Sequence, residues 1–143
     1  MSHHCLDYAA RIRKKGLRLT PQRELILDAI CEGKSHTTLD EIYARVQAKA
    51  PAISLATVYR ALGFWSDAGI VIGAEIQGHK VYEIVKEMPH HHLVCRACGQ
   101  VTELDHESVK TLFDIIKREQ QFDVDTDHLV LHGLCQQCRP TEK

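Results

Sequence analysis

Residues 54–85 read SLATVYRALGFWSDAGIVIGAEIQGHKVYEIV, and a change of period inside this stretch decides the fold of the first half. Ser54 is a helix-capping residue type, and Val58, Leu62 and Trp65, with Tyr59 beside them, recur at the spacing of a helical face. Gly69 closes that run. From Ile70 the apolar residues alternate, through Ile76 and again from Lys80 to Val85, on either side of Gln77-Gly78. A helix followed by two alternating runs about a Gly-containing turn predicts a helix and a β-hairpin.

Upstream the pattern is helical. Tyr8, Ile12 and Leu17 give a short helix ending near Gly16. Thr20-Pro21 is a helix start, with Thr as cap and Pro in the first turn, and Leu25, Ile26, Ala29 and Ile30 follow at helical spacing. Lys34-Ser35-His36 is a break. Thr38-Leu-Asp-Glu41 is a capping box that opens a helix carrying Ile42, Tyr43 and Val46 and stopping before Pro51. Three or four helices and a hairpin within residues 1–85 outline a winged helix-turn-helix.

Downstream, Lys86-Glu87-Met88-Pro89 is a hinge, and residues 90–143 follow the order strand, strand, helix, strand. The strands are expected at Leu93–Cys95, Gln100–Leu104 and His128–Leu134. The helix is expected from about His106 to Gln121, marked by Val109, Leu112, Phe113 and Ile116. The predicted class is α+β: an N-terminal winged helix-turn-helix domain, then a small α/β domain. So small a unit buries little core, and a metal staple and a second subunit both help it.

Of the 143 residues, 44% are apolar and 26% charged, the composition of a soluble globular chain. No apolar run approaches the ~20 residues of a membrane helix. Met1–Asp7 has no apolar signal core, so a cytoplasmic protein without membrane contact is expected. The net charge of −1 hides an asymmetry. Arg11, Arg13, Lys14, Lys15, Arg18 and Arg23 crowd the first residues against Asp7 alone, whereas residues 89–143 hold nine acids and six bases.

Six cysteines without an export signal do not form a disulfide framework. Cys95–Cys98 and Cys135–Cys138 are two C-x-x-C turns, each able to place two thiolates on one side of a tetrahedral zinc. The alternatives are unligated thiols or a redox pair, and a redox pair belongs at a helix N-terminus in a βαβ unit, which the pattern lacks. The H-x-E and P-C-x-x-C combination of a deaminase is absent. Four thiolates leave no open coordination position, so the site is structural rather than catalytic. Cys5 and Cys31 have no partner in the sequence pattern, and are expected as a terminal thiol and a core residue.

His90-His91-His92 precedes the first zinc cysteine. In extended chain His90 and His92 share one face and His91 takes the other. Glu103 on the neighbouring strand can join a face, and His36 and Glu83 can reach it if the two halves fold together. Such nitrogen and oxygen ligands suit Fe(II), Mn(II), Zn(II) or Co(II) without choosing among them. The alternative is a solvated histidine run. His79 is expected exposed, and His106 and His132 at the surface or beside a ligand. His3 and His4 are too few to argue from.

Arg18-Leu-Thr-Pro-Gln-Arg23, Ser54-Leu-Ala-Thr-Val-Tyr-Arg-Ala-Leu62, Asp67-Ala-Gly-Ile-Val71 and His90-His-His-Leu-Val-Cys-Arg-Ala-Cys-Gly99 together resemble the ferric uptake regulator family, in order and over nearly the whole chain. The resemblance implies a homodimeric, metal-dependent transcription regulator, a repressor of metal-homeostasis genes, that binds double-stranded operator DNA through its first domain and dimerises through its second. It implies that His36, Glu83, His90, His92 and Glu103 bind the regulatory metal and that Cys95, Cys98, Cys135 and Cys138 bind structural zinc. A further site in that family calls for ligands where this chain has Pro89, His91, Lys110 and His128, so it is expected empty, or weak with His91 and His128 only. Zinc-sensing relatives often carry Cys at the Glu83 position, and peroxide-sensing ones Asp at the Glu103 position. By analogy the regulatory cation is Fe(II), with Zn(II), Mn(II) or peroxide sensing as alternatives.

In that reading Thr57, Tyr59 and Arg60, early in the helix that Ser54 caps, enter the major groove, and Lys14, Lys15 and Arg18 contact phosphates or the minor groove. Tyr59 has core packing as its alternative, and the lysines a solvated basic face. The rivals to the whole reading are a winged-helix protein with structural zinc and no sensing, and an enzyme. The enzyme lacks a catalytic base at recognisable spacing from a three-ligand site.

Overall fold

Side chains start the helices of the first half. The computed structural model describes residues 8–33, 36–86, 88–124 and 128–140. The expectations for His3, His4 and Cys5, for Lys34-Ser35 and for Glu87 lie outside the described residues. Helix α1 (Tyr8–Lys14) precedes Gly16, whose φ of +67° suits glycine. Thr20 caps α2 (Pro21–Cys31) by accepting from the Arg23 N–H at 3.4 Å. The Thr38–Glu41 capping box opens α3 (Leu39–Lys49): the Glu41 N–H donates to Thr38 Oγ1 at 3.3 Å, and the Thr38 N–H to Glu41 Oε2 at 2.8 Å. Ser54 caps α4 (Leu55–Asp67) by accepting from the Thr57 N–H at 3.2 Å.

The alternating segments form β2 (Val71–Ile76) and β3 (His79–Ile84) about Gln77-Gly78, where φ is +52° and +77°. Left-handed backbone at both central residues gives the turn the twist a two-residue hairpin needs. A short strand, β1 (Thr37–Thr38), pairs antiparallel with β3, and the sheet order is β1-β3-β2. No alternation in the sequence announces β1, because two residues carry no period. Ile26, Leu27, Ile42, Val46, Val58, Leu62, Trp65 and Ile70 form the centre of one core, each at most 1% exposed. Each such side chain contributes ~1.5–3 kcal/mol. Tyr8 donates to Asp28 Oδ1 at 2.6 Å and Arg45 to the Ala29 carbonyl at 3.0 Å, tying α1 and α3 to α2.

Four further elements follow: β4 (His90–Cys95), β5 (Val101–Asp105), α5 (Glu107–Gln120) and β6 (Val130–Gly133). Their sheet order is β5-β4-β6, with β5 antiparallel and β6 parallel to β4. The first strand therefore starts at His90 rather than at Leu93. As the central strand β4 is hydrogen-bonded on both edges, and His90, His91 and His92 are 5%, 0% and 1% exposed. The histidine run is thus interior strand, not solvated chain. Val109 and Phe113 are the buried residues of α5, which ends at Gln121 in left-handed conformation.

The chain is α+β and divides into two compact units, residues 1–74 with 79–85, and residues 75–78 with 86–143. Cys31, expected as an unpaired core residue, lies half-buried against the first core and is disulfide-bonded. Which cysteine a thiol meets depends on tertiary proximity, to which sequence spacing is blind. No helix among the described residues is long and apolar enough to cross a membrane.

Candidate metal centres and nucleic-acid face

Cys95 ends β4, and the parallel register sets it opposite Gly133 at the end of β6. The two C-x-x-C turns therefore leave neighbouring strands side by side. The four Sγ atoms of Cys95, Cys98, Cys135 and Cys138 lie within 4.8 Å of one another, and Cys98 and Cys135 are 3.8 Å apart. A tetrahedron with Zn–S bonds of ~2.3 Å has edges of about 3.8 Å, so the sulfurs fit zinc with little movement. The Cys135 N–H donates to Cys95 Sγ at 3.4 Å. That bond, aided by the Cys98 N–H, brings the Cys95 thiol down to about 6. The Cys135 and Cys98 sulfurs push Cys138 up to about 12. The Gln100 N–H pulls Cys98 down, but the Cys95 and Cys135 sulfurs outweigh it and leave Cys98 raised. Sulfurs this close resist joint ionisation without a cation among them.

The histidine run divides as strand geometry requires. His91 points toward α5: its Nε2 lies 3.1 Å from His106 Nδ1, and its ring 5.7 Å from that of Phe113. The Leu129 N–H donates to His91 Nδ1 at 3.0 Å. Neutral His91 therefore carries its proton on Nε2 and donates it to His106. Burial, with His106 next in weight, lowers its pKa and keeps it neutral. His106, expected at the surface or beside a ligand, orients His91.

His90 and His92 share the opposite face, their ring centroids 4.9 Å apart. His128 joins them, with its Nε2 2.6 Å from His92 Nε2 and its ring 5.3 Å from that of His90. The extra site is expected empty, or weak with His91 and His128; the two residues stand on opposite faces of the sheet, and His91 has both ring nitrogens in hydrogen bonds. Glu103 pairs with His92 across β4 and β5, but its Oε2 is 2.7 Å from Lys86 Nζ, and Lys86 holds the carboxyl below its ordinary range. His132 and His79 are exposed.

In the first unit, β1 pairs Thr37 with Tyr82, and one more step of that register sets His36 across from Glu83. His36 Nε2 and Glu83 Oε2 are 3.9 Å apart, with side chains 13% and 8% exposed. A carboxylate this buried needs a cationic or hydrogen-bonding neighbour, and an imidazole supplies one. The donor set of this pair and of the histidine face, nitrogen with carboxylate oxygen, suits a borderline divalent cation.

On α4, Val58, Ala61, Leu62 and Trp65 are buried, while Tyr59 is 59% exposed and Arg60 is exposed. Core packing as the role of Tyr59 is therefore overturned, since position 59 lies off the apolar stripe. Thr57 is half-buried, its hydroxyl 3.0 Å from Ser54 Oγ. Lys14, Lys15 and Arg18 are exposed. Sequence reasoning left Arg23 without a role. Its guanidinium lies 3.6 Å from the Phe64 ring centroid, a cation–π contact that locks α2 onto α4. The only sequence signal was an Arg early in a helix facing an aromatic one.

The sequence profile of the ferric uptake regulator family matches residues 14–138. The chain belongs to the ferric uptake regulator family. Membership makes it a metal-responsive transcriptional regulator of the repressor kind. It is 33% identical over 137 residues to the ferric uptake regulation protein of Bacillus subtilis, covering 92% of each chain. It is 30% identical over 139 residues to a peroxide-responsive repressor of Staphylococcus epidermidis, covering 97% of this chain and 93% of that one. Among solved structures, the ferric uptake regulator of Pseudomonas aeruginosa with manganese matches with a TM-score of 0.71 and 31% identity, over 90% of this chain and 98% of that one. Family members thus share the fold while differing in the signal their names record.

Proposed function

We propose that the chain is an iron-sensing repressor in which residues 1–85 form a winged-helix DNA-binding domain, 86–89 a hinge and 90–143 a dimerisation domain. The observation that carries the reading is a candidate ligand pair in each unit: His36 facing Glu83 in the first, and His90 beside His92 in the second. A cation bound by both pairs ties the units together. With the angle between units fixed, the two α4 helices of a dimer acquire one spacing, and the DNA-competent state is selected from a looser ensemble.

In this reading Arg60, Tyr59 and Thr57 read base edges, while Lys14, Lys15 and Arg18 hold phosphates. Cys95, Cys98, Cys135 and Cys138 hold structural zinc. Filled, that site offers no open position, which fits a binding protein rather than an enzyme. The dimer forms through the exposed apolar side of the second sheet, where the register neighbours Leu93 and Leu131 are 38% and 42% exposed, next to Leu134 at 42%. The protein works in the cytoplasm, where operator DNA and reduced iron meet.

Operator binding in buffered Fe(II), Mn(II) and Zn(II), with the four-cysteine site kept full, tests this. The expected result is tight binding selective for Fe(II), lost in the His90→Ala/His92→Ala protein. Equal affinity with and without added metal would sink metal sensing. Loss of binding on brief peroxide treatment of the Fe(II) form would reassign the signal to peroxide.

A further inference from the structure

The family motif groups the position of His128 with that of His91, yet this chain turns His128 to the His92 side of the sheet. The cause is local. Leu129 is pinned to β4 twice, its N–H on His91 Nδ1 at 3.0 Å and its carbonyl accepting from the His92 N–H at 2.8 Å. The parallel register pairs Val130 with His92, so Val130 faces the His92 side. His128, two residues earlier, has the same parity and faces that side too. The outcome is three imidazoles together, with His128 Nε2 at 2.6 Å from His92 Nε2 and its ring 5.3 Å from that of His90. Glu103 is on the same face, but its side chain is 49% exposed and salt-bridged to Lys86.

We propose that His90, His92 and His128 form a three-imidazole site for a borderline divalent cation, with His128 in the ligand place that the motif gives to Glu103. The inference rests on His90 and His92 being ligands of the regulatory metal. Two ring nitrogens bonded to one cation at ~2.0–2.1 Å stand about 3.0–3.4 Å apart, so His92 and His128 need to part by less than ~1 Å. The pinned Leu129 backbone gives His128 a fixed approach, as a ligand requires. Substituting a neutral imidazole for a carboxylate also changes selectivity. Imidazole suits Fe(II), Co(II) and Zn(II), whereas carboxylate and water suit Mn(II), so the site disfavours Mn(II) relative to a carboxylate-rich one.

The test is metal affinity measured on the full chain with zinc in its four-cysteine site. Co(II) is titrated against a competing chelator, with the visible Co(II) spectrum as a second readout. Loss of a partner behind a ligand already costs ~10–100-fold, so losing a ligand in His128→Asn should weaken Co(II) by at least ~10-fold and change its spectrum. A loss under ~10-fold, or a larger loss in Glu103→Gln than in His128→Asn, would overturn the assignment. A measurement needing no variant guards against misfolding: Zn(II) should protect His128 of the unaltered protein from histidine acylation, mapped by mass spectrometry, and unprotected His128 would also refute it. Neither readout involves DNA. Metal binding through His128 without metal-dependent operator binding would leave this site standing and remove the sensor reading.

Discussion

Cys95 is set to ionise near neutral pH, because backbone N–H groups of Cys135 and Cys98 point at its sulfur, whereas Cys98 and Cys138 are held protonated by neighbouring sulfurs. Zinc binds thiolates, so loading the stripped protein must displace the protons of the raised groups. The expected outcome at pH 7 is release of about two protons or more per zinc, read as acidification in weak buffer. Zinc affinity should then fall as pH falls, since protons compete for the same sulfurs. Release of fewer than one proton would mean that the sulfurs are ionised before zinc arrives. At this same scale the C-x-x-C spacing named all four ligands. It could not rank them, because the ranking comes from how many N–H groups and how many neighbouring sulfurs folding brings to each thiol.

Helix α3 depends on its capping box. Thr38→Ala removes the acceptor for the Glu41 N–H and should cost ~1 kcal/mol in denaturant unfolding with the zinc site filled. The Glu41 carboxyl is held below its ordinary value chiefly by the Thr38 backbone N–H, then by the Thr38 hydroxyl. A carboxyl lowered in the folded state adds stability above its unfolded pKa and loses it as pH falls through the folded one. The backbone N–H survives in Thr38→Ala, so the gap between wild type and variant should narrow in acid only by the share of the hydroxyl, and a gap constant down to pH 3 would show that the Thr38 hydroxyl does not hold the Glu41 carboxylate. This box was legible as Thr-x-x-Glu because both partners sit within one helical turn. The strand β1 beside it was not, because it exists only through pairing with β3, some forty residues on.

The whole molecule requires its partner subunit if the proposed switch is to work, and the exposed Leu93–Leu131 side of the second sheet is where that requirement is tested. Leu131→Asp places a charge in the middle of the patch and should convert the dimer to monomer in sedimentation at micromolar concentration. Zinc content should be unchanged, since the cysteines stand on the adjoining turns. A variant that remains dimeric would move the interface elsewhere.

The helices with their caps, the hairpin about Gln77-Gly78, the four-cysteine site and the split of His91 from His90 and His92 were all legible along the chain. Each of these depends on neighbours within a turn or on the alternation of a strand, quantities printed along the chain. That His128 joins His90 and His92, that Leu129 and His106 occupy the nitrogens of His91, that Lys86 holds Glu103 and that Arg23 covers Phe64 was settled by folding alone. These follow from strand register and helix packing. A register shift of one residue would turn His128 to the other face, and nothing in the local sequence about residue 128 fixes that register. It is fixed by the backbone of Leu129 meeting β4 nearly forty residues away.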